Sequence, residues 1–155
     1  MSSVLKSAFD LPAGRLLGLD LGTVRIGVAV SDEQGILATP LTVVQRRSRA
    51  EDFAALAELV RRERVAGVLA GLPLDSQGAV GPQAQLARRY GGRLAVRLPV
   101  PLAFWDESYS SVDAAGLLKQ SGGRVPIDAA AAAVILTGFL EARRARGVQS
   151  EISNP

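Results

Sequence analysis

The 155-residue chain contains no cysteine and no histidine. The absence of cysteine excludes disulfides and thiolate metal sites, and the absence of histidine removes the most common general base and zinc ligand. Any chemistry must therefore use carboxylates, hydroxyls, arginine or lysine. The sequence also lacks an apolar run of about 18 residues and an N-terminal apolar segment before a small-residue cleavage site, so we expect a cytoplasmic protein outside the membrane.

Lysine is scarce as well, because all but two of the eighteen basic residues are arginine, and the formal net charge is +3. An excess of basic residues favours a polyanionic partner such as nucleic acid. On charge alone, an ordinary solvated arginine-rich surface is an equally good interpretation. The residues that we predict to contact nucleic acid are Arg25, Arg46, Arg47, Arg49, Arg88, Arg89 and Arg124.

The apolar periodicity predicts one domain over residues 15–144, between a flexible arm at 1–14 and a flexible tail at 145–155. Strands are predicted at 16–20, 25–31, 40–44, 65–72 and 101–105, and helices at 48–65, from 82 past 90, at 111–120 and at 128–144. The first two strands are joined by a short turn and form an antiparallel hairpin, whereas the later strands return through helices. This order predicts an α/β fold with a mixed sheet.

Four acids occur where solvation alone does not explain them. Asp20 interrupts an apolar strand, Asp106 and Glu107 close the last strand, and Asp128 opens the final helix. Ionised carboxylates are costly to bury unless they are paired or bind a cation, so a group of them at one sheet edge predicts a metal site. Oxygen ligands favour Mg²⁺ or Mn²⁺, and two such ions about 3.5–4 Å apart are a recurrent arrangement for phosphodiester hydrolysis.

Structural interpretations compete with the metal site for these acids. Asp128 is equally suited to cap the final helix. Asp106 is better explained as the end of a strand, because side chains alternate between faces and Glu107 is its neighbour. Asp20 is harder to explain structurally, since aspartate is depleted in strand interiors, and we assign it a functional role.

Four segments resemble, in order and spacing, the motifs of the YqgF/RuvX family of nucleases: "LGLDLGTVRIGVAVSD", "AGLPLDSQGAVGPQA", "PLAFWDESYSS" and "IDAAAAAVILTGFLE". The resemblance covers about residues 16 to 144. It implies an RNase H-like fold, with a five-stranded mixed sheet flanked by helices, and cleavage that depends on divalent metal ions. It further implies that Asp20, Glu107 and Asp128 are the catalytic and metal-binding acids.

The same resemblance implies two activities, maturation of the 5′ end of 16S rRNA from its precursor and resolution of Holliday junctions. The expected partner is therefore structured RNA or branched DNA, and a junction resolvase would also need a symmetric homodimer. Ser108 stands where the family usually has an arginine, which removes a bidentate phosphate contact and keeps a non-catalytic RNA-binding assembly factor as an alternative. A sugar-kinase or actin-like ATPase shares the Asp-x-Gly-Thr pattern of Asp20, Gly22 and Thr23, but it needs two lobes and this chain supplies one.

Overall fold

The computed structural model describes residues 3–73, 77, 79–106 and 126–153, with side chains as far as residue 147. The strands in these ranges are β1 (Leu16–Leu21), β2 (Arg25–Ser31), β3 (Ala38–Gln45), β4 (Gly67–Leu72) and β5 (Leu102–Asp106). The helices are α1 (Arg49–Arg62), α2 (Pro82–Arg97) and α3 (Ile127–Ser153). The helix predicted at 111–120 lies outside the described residues.

The strands form one five-stranded mixed sheet in the order β3-β2-β1-β4-β5. β1 pairs antiparallel with β2, and β2 with β3, as the short turns between them require. β1 pairs parallel with β4, and β4 with β5, because α1 and α2 each carry the chain back to the starting edge. The predicted mixed sheet is therefore confirmed, and the acid-bearing strand β1 lies at its centre.

The alternation of side chains along β1 divides the core into two layers. Leu17 and Leu19 are fully buried on the face that α1 and α2 cover. Leu16 faces the other way, into a cluster with Leu136 and Phe139 of α3. Because successive strand residues point to opposite faces, Asp20 shares the α3 face with Leu16.

Two glycines allow α3 to lie unusually close to the sheet. A Cβ atom on Gly18 would come within 3.0 Å of the Leu136 Cβ, and one on Gly27 would overlap the carbonyl oxygen of Asp128. Ala132 and Ala133 keep the helix side of this contact equally small. Although α3 has 27 residues, neither it nor the other described helices combine the length and apolar character needed to cross a membrane.

Helix α2 continues to Arg97 through Gly91 and Gly92, although glycine disfavours a helix. A Cβ atom on Gly91 would lie 2.6 Å from Phe104 Cζ, so glycine lets α2 rest directly on β5. Nothing lies within 4 Å of the corresponding position at Gly92. The first glycine is thus required by packing, and the second is not.

Both ends of the chain have more structure than their sequence pattern suggests. The Leu5 N–H donates to the Leu102 carbonyl at 2.8 Å, and a 3₁₀ turn at Ala8–Asp10 follows. The Phe9 ring packs edge-on against Trp105, with a centroid distance of 5.7 Å. Helix α3 extends beyond residue 144 to Ser153. Flexibility of residues 1–14 and 145–155 in solution stays a prediction.

Candidate active site

Asp20 lies near the end of the central strand with a glycine on either side. It pairs in register with Gly27 of β2 and with Gly71 of β4. Residues directly opposite on neighbouring strands project to the same face, so neither neighbouring strand places a side chain beside the carboxylate, and the start of α3 packs against Gly27 instead. The two glycines therefore let the backbone of another element approach Asp20, which is partly buried.

Asp128 reaches the same place from the far end of the domain. It lies in the first turn of α3, whose start rests on Gly27, the register partner of Asp20. Its Oδ2 accepts a hydrogen bond from Arg25 Nε at 2.9 Å, and this ion pair is partly exposed, with 49% of the Arg25 side chain accessible. The structure thus brings together Asp20, Asp128 and Arg25, which the sequence predicted to be functional.

The electrostatics of Asp20 follow from this arrangement. Burial raises the pKa of Asp20 above its usual value of 3.8, and the negative charge of Asp128 raises the pKa further. The ionised form of Asp20 is therefore unfavourable unless a positive charge compensates it. Arg25 is already engaged by Asp128, so the pair of acids is suited to an additional cation.

The two acids at the end of β5, Asp106 and Glu107, are not placed beside Asp20 by the described structure. Asp106 pairs in register with Leu72, which packs against α2, so its side chain lies on the face opposite to Asp20. It lines a small cavity with Phe104 and Arg88. Glu107 lies outside the described residues, as does Arg124. Within the described part of the chain, no group of three or more acids is placed to hold a metal ion.

The predicted nucleic-acid-binding arginines do not form a single surface. Arg25 lies at Asp128, and Arg88 lies near Asp106 on the opposite face of the sheet. Arg49 and Arg89 line a groove on the face covered by α1 and α2, and this groove reaches the end of β1 at Asp20. Arg47 is exposed, and its side chain forms no ion pair with any residue that the structure describes.

Arg46 belongs instead to a partly buried network that sequence analysis missed. The Asp52 carboxylate, only 3% exposed, accepts hydrogen bonds from the Tyr90 hydroxyl at 3.2 Å and from the Arg47 backbone N–H at 2.9 Å. The Arg46 guanidinium lies 4.2 Å from the Tyr90 ring centroid and donates to the Gly22 carbonyl at 2.8 Å. Burial, and then the charge of Asp52, raise the pKa of Tyr90 and keep its hydroxyl protonated.

The network ties the turn after β1 to both helices on that face. A signal for it exists in the sequence, because Asp52 precedes Leu56 by four residues and therefore falls on the buried stripe of α1. Acids are common in the first turn of a helix, so the sequence offered no reason to assign Asp52 a function. Its structural role here is to hold Arg46 against the turn that follows Asp20.

Comparisons with known proteins agree with this architecture. A family model described as RuvX, Holliday junction resolvase, matches residues 14–142. A protein of Anaeromyxobacter dehalogenans, whose name proposes a pre-16S rRNA nuclease, is 47% identical over 134 residues, which cover 83% of this chain and 98% of that protein. A protein of Symbiobacterium thermophilum with the same name is 42% identical over 141 residues, covering 88% and 98%.

Among solved structures, Thermus thermophilus RuvC in complex with a Holliday junction substrate has a TM-score of 0.60 to this chain. The sequence identity is 18%, and the match covers 85% of this chain and 96% of that one. At this identity the likeness concerns the fold alone, and it confirms the RNase H-like fold that the sequence predicted.

Proposed function

Because the chain belongs to the RuvX family, we propose that it is a divalent-metal-dependent nuclease that hydrolyses phosphodiester bonds to mature the 5′ end of pre-16S rRNA. The names of relatives that are more than 40% identical support the rRNA substrate. Such a substrate would place the protein in the cytoplasm. The absence of histidine and cysteine leaves carboxylates as the groups that hold the metal.

The pairing of Asp20 with Asp128 carries the proposal. These acids come from opposite ends of the domain, yet the negative charge of Asp128 adds to the effect of burial in raising the pKa of Asp20. A fold gains nothing in stability from two like charges placed together at a partly buried point. A bound cation removes that cost, so the pair fits an oxygen-ligated Mg²⁺ or Mn²⁺.

We assign the metal-binding role to Asp20, Asp128 and Glu107. Glu107 enters on the sequence alone, because the period-two alternation of a strand predicts that the residue after Asp106 faces the Asp20 side. When bound, a pair of divalent ions would lower the pKa of a water molecule and stabilise the charge that develops on the leaving oxygen. The part of the protein is to hold the ions with these acids and to offer Arg25, which balances Asp128, to a phosphate oxygen.

The test compares two single substitutions that each remove one carboxylate charge. Asp20→Asn should abolish Mg²⁺- or Mn²⁺-dependent cleavage of an RNA that carries the 5′ precursor segment, and it should weaken Mn²⁺ binding measured by calorimetry. Asp106→Asn is the matched control, because Asp106 lies on the other face of the sheet, and it should retain cleavage. Full cleavage by Asp20→Asn, or an equal loss in both variants, would contradict the assignment.

The family description favours a second candidate, the resolution of Holliday junctions. That activity needs a symmetric homodimer with two active sites, so it predicts dimers in sedimentation experiments and paired nicks in a four-way DNA junction. If the wild-type protein nicks junctions and leaves the precursor RNA intact, the resolvase replaces the rRNA nuclease. If it binds RNA tightly and cleaves neither substrate, the non-catalytic assembly factor is the better assignment.

A further inference from the structure

A continuous groove runs from the end of β1 into the space between α1 and α2. It consists of two cavities of about 540 and 630 Å³, and Arg49 and Arg93 line both of them. The first cavity begins at Asp20 and Thr23, and the second lies between the two helices. We call this feature the arginine groove, after the six arginines that line it: Arg46, Arg49, Arg61, Arg89, Arg93 and Arg97.

The positions of these arginines follow from helical spacing. On α2, Arg89, Arg93 and Arg97 recur every four residues, so they form one stripe about 12 Å long at a rise of about 1.5 Å per residue. On α1, Arg49 and Arg61 bracket Phe53 and Ala57 at the same spacing. The groove thus has positively charged rims and an apolar wall between them.

Most of this positive charge is uncompensated. Arg46 is held by Asp52, and Arg61 pairs with Glu58 at 3.0 Å. The remaining arginines of the groove form no ion pair with any residue that the structure describes: Arg49, Arg89, Arg93 and Arg97. Among the described lining residues, Asp20 at the mouth is the single acid.

Four exposed guanidinium groups that line one groove create a positive potential that attracts a polyanion. A second copy of this chain is a poor occupant, because a symmetric contact would set arginine against arginine. A phosphodiester backbone matches both the charge and the elongated shape, and guanidinium groups bind phosphate oxygens in a bidentate manner. The apolar wall around Phe53 gives unpaired bases a surface to pack on, which favours a single strand over a duplex.

We propose that the arginine groove binds a single-stranded RNA segment adjoining the cleavage point at Asp20. The Asp20 carboxylate lies on the α3 face, so the segment crosses the end of β1 to the other face and continues between α1 and α2. Its phosphates lie on Arg49, Arg89, Arg93 and Arg97. This inference rests on the proposed nuclease function and names the part of the substrate that the protein holds. The proposal assigns RNA binding to these four arginines and not to Arg47 and Arg88, which lie outside the groove.

The experiment measures binding of a fluorescein-labelled single-stranded RNA of mixed sequence to the full chain by anisotropy. EDTA prevents cleavage, and the dissociation constant is determined over a range of salt concentrations. The double variant Arg93→Gln/Arg97→Gln removes two groove charges, and Lys6→Gln/Arg64→Gln removes two exposed charges outside it. None of these four side chains makes an ion pair in the described structure, so both variants should keep the wild-type melting temperature.

The groove variant should bind more weakly and should reduce the slope of log Kd against log salt by about 1.4, at about 0.7 for each lost phosphate contact on a single strand. The control variant should keep the wild-type slope. The proposal would be overturned if both variants changed the slope equally, or if the wild-type protein bound duplex RNA as tightly as single-stranded RNA. A change of oligomeric state in the groove variant would also overturn it. Wild-type cleavage with Mn²⁺ is measured separately: groove binding without cleavage refutes the nuclease alone, and cleavage without a groove effect refutes the groove alone.

Discussion

Gly27 offers the sharpest test of how the fold positions the site. It pairs in register with Asp20, and a Cβ atom at this position would overlap the carbonyl oxygen of Asp128. Gly27→Ala therefore forces the start of α3 away from β2. Strand backbone does not yield easily at the centre of a sheet, so we expect the helix to move by about 1 Å, and a displacement of that size commonly costs about 10²-fold in rate.

The expected loss in kcat/KM corresponds to about 2.7 kcal/mol of transition-state stabilisation. Overpacking should also lower the free energy of unfolding by about 1–3 kcal/mol. Both quantities can be measured on one preparation, by Mn²⁺-dependent cleavage of the precursor RNA and by urea unfolding followed by circular dichroism. A large loss of cleavage with a modest loss of stability would show that Gly27 acts through the placement of Asp128.

The control is Gly92→Ala, which adds the same methyl group in open space. Alanine is favoured over glycine within a helix by about 1 kcal/mol, so this variant should unfold at higher urea concentration and cleave normally. If Gly27→Ala matched the wild type in both cleavage and stability, the close approach of α3 to β2 would have no role in the site.

Two further predictions concern charge and hydrogen bonding. Because burial raises the pKa of Asp20, Asp20→Asn in EDTA should be more stable than the wild type at neutral pH, and the difference should vanish as the pH falls towards 3.8. Asp32 has a pKa lowered by backbone hydrogen bonds, first from Leu37, so Asp32→Asn should show the opposite sign, and urea titrations that gave both variants the same sign would refute this argument. Tyr90→Phe removes a donor to the buried, charged Asp52 and should cost about 2 kcal/mol in urea unfolding; a loss within measurement error would show that solvent replaces the hydroxyl.

The strands and the unusual position of Asp20 within one of them could be predicted from the sequence, because both depend on short-range pattern. Apolar runs broken by turn residues specify strands locally, and an acid within such a run is conspicuous wherever the strand lies. The motif resemblance extended this to the family and to the RNase H-like sheet, both of which are confirmed. Helix α2 was harder to delimit, since the structural reason for Gly91 is its contact with Phe104 on a different element.

The partners of the acids depended on packing between segments far apart in the chain. The sequence grouped Asp106 with Asp20 as acids in or beside apolar strands and favoured a strand end for Asp106, and the parallel register of β5 with β4 then places Asp106 on the α2 face. Arg46 was predicted as a phosphate contact, and the structure shows it engaged by Gly22, Tyr90 and Asp52. Such contacts have no period and no local composition, so no sequence pattern reports them.

The sequence by itself determined that this is an α/β domain and that its chemistry uses neither histidine nor cysteine, because residue types and their local alternation are sufficient for both conclusions. The tertiary structure alone decided which charges meet. It set Asp128 beside Asp20 through the glycine contact of α3, and it aligned the arginines of α1 and α2 along one groove. Electrostatic interactions act through space, so their outcome depends on the distances that folding creates rather than on separation along the chain.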